Sequence, residues 1–89
     1  MEKFVVFGEY CKDAITRREP FREQHLNRLK KLKDNNILIT LGPTKCIKYM
    51  FGIFNATDVN QLRNFIEDDI YWEKGIWIKY DIYPWIQAF

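Results

Sequence analysis

The chain has 89 residues, a net charge of +2 from 14 basic and 12 acidic side chains, and an aromatic content of 17%. This length predicts one domain over residues 1–89 with a thin core, which buries about 60–65% of the surface that the unfolded chain exposes. The basic residues form no dense run, so we expect no nucleic-acid partner. No apolar run approaches the ~20 residues that span a bilayer, and residues 1–4 lack a signal-peptide layout. We therefore expect a cytoplasmic protein that is not bound to a membrane.

The first predicted element is a strand over residues 3–10 whose two faces are both apolar. Phe4 and Val6 alternate along it with Val5 and Phe7. A polar connection is expected over residues 11–18. The helices of a chain this short cover one face of a sheet, so the aromatic rings on the other face need a second cover. That face has to meet a partner subunit or a ligand, and a second copy of the chain is the expected cover, which predicts a homodimer.

An amphipathic helix is predicted from Pro20 to about Asn35-Asn36, because proline suits the first helical turn and asparagine tolerates left-handed backbone at the end. Thr16 and Glu19 also fit a capping box, which leaves open a start one turn earlier. At about 100° per residue, one apolar stripe contains Phe21, His25, Leu29 and Leu32. The only histidine of the chain is therefore expected to point inward.

The remainder of the chain predicts three more strands and a second helix. The strands are expected at Ile37–Leu41, Tyr49–Phe54 and Ile76–Tyr83, with Gly42-Pro43 ending the first of them and Pro84 ending the last at a sheet edge. The helix is expected over Val59–Glu67, with Asp58 and Gln61 at capping-box spacing, and one more helical turn precedes Gly75.

The order β-α-β-β-α-β predicts an α+β, ferredoxin-like fold, in which a four-stranded antiparallel sheet carries both helices on one face. Two such sheets packed face to face form a dimeric α+β barrel. That assembly accounts for a first strand with two apolar faces.

These features resemble the YciI-like (YCII-related) family of small dimeric α+β barrel proteins. The resemblance extends over nearly the whole chain and is carried by His25-Leu26, Gly42-Pro43, Asp69, Gly75 and Pro84-Trp85. It implies a His-Asp pair in a cleft, proposed as catalytic in the family, which here is His25 with Asp69. The family usually has proline after the aspartate, whereas Ile70 follows Asp69 here, so Asp68 is kept as an alternative partner of His25.

A carboxylate that is hydrogen-bonded to one imidazole nitrogen fixes the tautomer, favours the protonated ring and leaves the other nitrogen free to move a proton. Such a pair works as a general acid or base. The chain contains no serine, which excludes a Ser-His-Asp hydrolase. The alternative interpretation is a buried pair that only satisfies its own hydrogen bonds.

Further candidates surround this pair in the predicted fold. Substrate-binding roles are predicted for Arg22, Tyr10 and Tyr71, with Arg17, Arg18, Tyr49 and Trp77 as additional candidates. An arginine near the helix start suits a substrate carboxylate, and aromatic rings suit a planar substrate. Cys11 and Cys46 have no CxxC partner, so we expect free thiols, no metal site and no cofactor.

Three functions are consistent with this pattern. The first is a cofactor-free enzyme in which His25 moves a proton on a small aromatic or unsaturated acid and Asp69 orients the ring; some relatives in the resembled family are linked to lyase or dehalogenase chemistry on ring-cleavage products. The second is a small-molecule binding or interaction protein whose cleft holds a ligand without turning it over. The third is a heme- or quinol-handling monooxygenase of the wider dimeric α+β barrel group.

Overall fold

The computed structural model describes residues 1–89. Its strands are β1 Glu2–Tyr10, β2 Leu38–Pro43, β3 Tyr49–Ala56 and β4 Trp77–Trp85. Its α-helices are α1 Ala14–Arg17, α2 Arg22–Asp34, α3 Val59–Glu67 and α4 Ile70–Glu73, and a 3-10 turn at Glu19–Phe21 lies between α1 and α2. None of these helices has the length and apolar character needed to cross a membrane.

The four strands form one sheet in the order β2-β3-β1-β4, and every pair of neighbouring strands is antiparallel. The central strand β1 pairs with β3 on one side and with β4 on the other. β2 and β4, which end the two halves of the chain, are the edge strands. The predicted α+β class and the ferredoxin-like β-α-β-β-α-β arrangement are therefore confirmed.

The two faces of the sheet differ in how they are covered. One face, which we call the closed face, packs against the helices, and its core residues include Phe4, Val6, Met50 and Phe54 together with Leu62 and Ile66 of α3. The opposite face, called here the open face, carries Phe7, Phe51 and Tyr83, and Phe7 remains 49% exposed in the single chain. The apolar character predicted for both faces of β1 is present, and this chain covers only one of them.

The segment before the long helix differs from the prediction. Residues 11–18 were expected to form a polar connection, but they contain the short helix α1, in which Ala14 is buried. A helix of four residues is too short to show a hydrophobic period, so the sequence pattern did not reveal it. The long helix begins at Arg22 because Pro20 lies in the 3-10 turn, and Thr16 caps neither helix.

The ends of β2 and β4 also differ from the predicted ends, and both differences have the same reason. β2 continues through Pro43 and β4 continues through Pro84 to Trp85, where termination had been predicted. Proline lacks the N–H that a ladder bond needs, and an edge strand has one side that requires no such bond. Both prolines are therefore compatible with their strands, and the prediction that Pro84 marks a sheet edge is confirmed.

The helix ends follow the predicted signals closely. Asn36 has φ 60°, so the left-handed residue expected after the long helix is present. α3 occupies the predicted residues, and Asp58 Oδ1 accepts a hydrogen bond of 2.8 Å from the Gln61 amide. The return bond of the capping box is displaced by one residue, because the Gln61 side chain accepts from the Thr57 amide.

Candidate active site

The sequence-predicted pair lies between two helical elements on the closed side of the sheet. His25 is in α2 and is 4% exposed, while Asp69 precedes α4 and is fully buried. His25 Nδ1 is 2.7 Å from Asp69 Oδ1. The apolar stripe of α2 turns the imidazole inward, as its position beside Leu29 predicts. The structure brings the two side chains together, while their catalytic role remains a prediction.

The placement of Asp69 follows from its role as the N-cap of α4. Its Oδ1 accepts from the Tyr71 amide at 2.9 Å, which satisfies an N–H that the helix leaves free. Its backbone has φ −74° and ψ 140°, the extended conformation that a following proline would also favour. The cap therefore holds the aspartate in place with Ile70 in the proline position. Asp68 is exposed and ends α3, so the partner of His25 is Asp69.

A third charged residue, Arg28, completes the surroundings of the carboxylate. Arg28 Nη1 donates to Asp69 Oδ2 at 3.2 Å, and Nη2 donates to the Phe65 carbonyl at 2.8 Å. Each oxygen of the buried carboxylate thus has a partner that balances its loss of water. Arg28 is absent from the site residues predicted from the sequence. Its position three residues after His25 on the same helix was the available signal.

Two aromatic rings contact the imidazole, one on its face and one at right angles to it. The Tyr71 ring stacks on the His25 ring at a centroid distance of 3.6 Å and an interplanar angle of 7°. The Trp77 ring meets His25 edge-on at 5.1 Å and 86°. With Nδ1 bonded to Asp69, these contacts leave the imidazole in one orientation.

A cavity of about 80 Å³ opens beside the imidazole. Its polar lining consists of Tyr10, Arg18, Arg22, His25 and Tyr71, and its apolar lining includes Leu26, Leu29, Leu41 and Pro43. His25 Nε2 makes no hydrogen bond with the protein, because the only bond of the ring is the one at Nδ1. One ring nitrogen is thus available to a molecule in this cavity.

Burial keeps the tyrosines of the cavity protonated. It raises the pKa of the Tyr10 hydroxyl, against the opposing influence of the Trp77 indole and Arg18, and it likewise raises the pKa of Tyr71. The Trp77 Nε1 atom lies near the Tyr10 hydroxyl but makes no hydrogen bond of standard length and angle. Both tyrosines therefore present neutral hydroxyl groups at neutral pH.

The fold places some of the other predicted candidates at the cavity and others away from it. Tyr10, Tyr71, Arg22 and Arg18 all line the cavity. Arg17 is exposed and lies outside it, Tyr49 lies on the open face of the sheet, and Trp77 contacts the imidazole without lining the cavity. Cys11 and Cys46 are free thiols. No group of three or more His, Cys, Asp or Glu side chains is arranged to hold a metal ion.

Comparison with known protein families identifies the chain. A family model described as the YCII-related domain matches residues 2–86. The chain belongs to the YCII-related family. A relative of this YCII-related protein in Haemophilus influenzae, described as uncharacterised, is 29% identical in a match that covers 97% of this chain and 98% of the relative.

Two solved structures share the fold. A 5-chloro-2-hydroxyhydroquinone dehydrochlorinase from Burkholderia phenoliruptrix, in complex with 2,5-dihydroxybenzoquinone, matches with a TM-score of 0.83 and 20% identity over 97% of this chain and 95% of that chain. A protein from Agrobacterium tumefaciens matches with a TM-score of 0.60 and 12% identity over 99% and 94%. At these identities the similarity shows a common fold for this YCII-related protein and the two structures.

Proposed function

We propose that this YCII-related protein is an enzyme that eliminates a leaving group from a small molecule, in a lyase or dehalogenase-like reaction, with His25 as its general acid or base. The observation that supports the proposal most strongly is the 2.7 Å contact between His25 Nδ1 and Asp69 Oδ1 beside a cavity. Nε2, which makes no bond to the protein, is the atom that exchanges the proton.

The proposed step begins with Asp69 accepting a hydrogen bond from Nδ1–H, which leaves Nε2 as the basic nitrogen. Nε2 takes a proton from the substrate, and the leaving group departs with the bonding electron pair. Asp69 stabilises the imidazolium until the proton passes to water. The elimination transfers no electrons to or from the protein, so the step requires no redox cofactor. General acid–base catalysis of this kind contributes about 10²- to 10⁴-fold to a rate.

Substrate-binding roles belong to three residues that line the same cavity, Arg22, Tyr10 and Tyr71. Arg22 is a cation at the start of α2 and attracts an acidic group. The two tyrosines, which burial keeps protonated, donate hydrogen bonds to oxygen atoms of the substrate. The dehydrochlorinase that shares the fold provides a precedent for elimination chemistry, and at 20% identity its substrate is taken only as the first compound to assay.

The test measures chloride release from 5-chloro-2-hydroxyhydroquinone and from a panel of halogenated phenols and halogenated acids. His25→Asn keeps a donor for Asp69 and should lower kcat by about 10²- to 10⁴-fold. Asp68→Asn removes one charge from the exposed neighbouring position and serves as the matched control, with kcat expected within about twofold of the unmodified protein. Turnover that survives His25→Asn would contradict the proposal.

A second candidate function is a non-catalytic small-molecule binding protein. The observation that favours it is that Asp69 also caps α4, so a fully buried His-Asp pair already has a structural role. In that case the unmodified protein and His25→Asn bind the same ligand and neither turns it over. Ligand binding without chloride release across the whole panel would therefore select this alternative.

We also propose that a second copy of the chain covers the open face of the sheet. Phe7 contacts Phe51 edge-on at a centroid distance of 5.1 Å and Tyr83 at 6.4 Å, which forms one exposed aromatic cluster. Sedimentation velocity should show a dimer, and Phe7→Asp should shift it to the monomer because a charge in an aromatic interface has no partner. A monomer at all concentrations would contradict this assembly. The cytoplasmic location stays a prediction.

A further inference from the structure

The cavity beside His25 carries positive charge that no carboxylate in its lining balances. Its lining contains Arg18 and Arg22 but no aspartate or glutamate. Neither arginine takes part in an ion pair of the chain. Asp69 lies behind the imidazole and is already engaged by His25 and Arg28. An anion that enters the cavity therefore meets cations without competing protein anions.

Hydrogen-bond donors without acceptors lie in the same region. Arg18 Nε and Trp77 Nε1 are buried and have no hydrogen-bond partner. Both groups can only donate, so both require an acceptor, and buried donors without one are uncommon in folded proteins. The neutral hydroxyl of Tyr10, which lines the cavity near Trp77, adds a third donor. Of the two unpartnered donors only Arg18 belongs to the cavity lining, so the group missing from the cavity is an acceptor for Arg18.

The volume of the cavity limits the size of the ligand group that carries this acceptor. A closed apolar cavity of about 150 Å³ holds one benzene molecule, whereas this cavity measures about 80 Å³. It accepts a carboxylate or the oxygen-bearing edge of a ring, and the rest of the molecule stays outside. The apolar residues at its border include Leu26, which is 45% exposed, and Pro43, and such a border suits a flat apolar body.

We propose that the cavity binds an oxyanion on a planar carbon, either a carboxylate or an ionised phenol or enol, and that Arg18 is its principal ligand. The inference rests on the proposed function and adds a substrate class to it: the molecule on which His25 acts is an acid. The planar fork of Arg18 pairs with such an oxyanion and gives the unpartnered Nε an acceptor. An ionised enol is the form that remains once Nε2 has taken the substrate proton, and its electron pair passes through the conjugated carbons as the leaving group departs with the bonding pair.

The experiment measures the affinity of the full-length protein for three probes by titration calorimetry, at low ionic strength and neutral pH. The probes are benzoate, ionised 2,5-dihydroxybenzoquinone and neutral benzamide. At least one of the two anions should bind about tenfold or more tightly than benzamide. Arg18→Gln should weaken that anion by about 10- to 100-fold, the range expected for a lost hydrogen bond to a charged group, and should leave benzamide unchanged.

Arg17→Gln is the matched control, because it removes one charge from the exposed residue next to Arg18 and outside the cavity. Its affinity for the anion should stay within about twofold of the unmodified protein. Arg18→Lys keeps the charge and removes the fork, so an intermediate loss is expected. This variant also provides the measurement if Arg18→Gln does not fold.

Binding of benzoate alone identifies a carboxylate, and binding of the quinone alone identifies an ionised phenol or enol; both results support the proposal. Equal affinity for benzamide and the anions, equal losses in the Arg17 and Arg18 variants, or no binding of either anion would overturn it. His25→Asn separates this proposal from the proposed function. If His25→Asn still binds the anion and the unmodified protein turns over no compound of the panel, the elimination reaction is refuted. The oxyanion site then stands without it.

Discussion

The two faces of the sheet are built from similar apolar residues but differ in what covers them. On β3, Phe54 faces the helices and is 2% exposed, whereas Phe51 lies on the open face and is 38% exposed. The His25–Asp69 pair lies on the helix side, within the layer that the chain closes by itself. The difference indicates that the site is assembled by folding, while the open face is left for association with a second chain.

The sharpest test of this comparison removes the same ring from each face. Phe54→Ala should lower the free energy of unfolding by about 3–5 kcal/mol, because it leaves a cavity in the core. Phe51→Ala should cost about 0.5–1.5 kcal/mol in the monomer, since it loses its edge contact with Phe7. Urea denaturation at low protein concentration measures both values.

The dissociation constant of the dimer provides a second measurement of the same comparison. Phe51→Ala should raise the dissociation constant of the dimer, whereas a folded closed-face variant such as Val6→Ala should leave it unchanged. Equal losses of stability from the two phenylalanine substitutions would show that the faces are not distinct.

The second prediction concerns the buried pair on the closed side. Asp69→Asn should lower the free energy of unfolding by about 3 kcal/mol, because it removes the buried negative charge that pairs with Arg28 and replaces one carboxylate oxygen with an amide nitrogen that accepts no hydrogen bond. Asp68→Asn should change stability by less than about 0.5 kcal/mol, since Asp68 is exposed. Thermal and urea unfolding of the two variants gives the comparison, and similar values for both would indicate that Asp69 has no special role in folding.

A smaller effect is expected at Arg28, which lies at the border of the closed layer with its side chain 25% exposed. Arg28→Gln should cost about 1–2 kcal/mol, because Asp69 Oδ2 and the Phe65 carbonyl both lose a donor. Lys30→Gln, an exposed position on the same helix, is the charge-matched control and should have almost no effect. If the two substitutions have equal effects on urea denaturation, the contacts of Arg28 do not stabilise the buried carboxylate.

The smallest expected effect concerns the fall in unfolding free energy at alkaline pH. It should differ between a tyrosine on the closed side of the sheet and a tyrosine on the open face. Burial raises the pKa of Tyr10 above its ordinary value of 10.0, so the folded protein holds this proton more tightly than the unfolded chain does. The resulting stability is present below about pH 10 and is lost as the pH rises through the folded pKa. Tyr10→Phe should therefore flatten the fall in unfolding free energy above pH 10. Tyr49→Phe, an exposed ring on the open face, should leave the fall unchanged.

Much of the fold could be predicted because it is encoded by periodic patterns. The alternation in the strands and the order of the elements predicted the four-stranded antiparallel sheet, and the stripe on the long helix predicted the inward direction of His25. The four residues of α1 carry no such period, and the proline rule ended β2 and β4 at their prolines although both strands continue through them at the sheet edges. Local patterns were thus sufficient for long elements and insufficient for short ones.

The site was predictable to a lesser degree. Asp69 was identified through a family resemblance, and no pattern in the residues distinguished it from Asp68. Arg28 could not be assigned, because its bonds to Asp69 and the Phe65 carbonyl depend on how α2 lies against α3 and α4. The choice of Arg18 over Arg17 likewise depends on the direction in which α1 presents its side chains. These relationships are set by tertiary packing and not by local sequence.

Asp69 Oδ1 is shared between His25 Nδ1 and the amide of Tyr71. Any change in the proton or ligand held by the imidazole alters the electron density on that oxygen, and the amide responds through the same atom. The nitrogen and proton chemical shifts of Tyr71 are therefore an internal reporter of the imidazole. A ligand titration followed at this one backbone signal reads the state of the site without any label on the histidine.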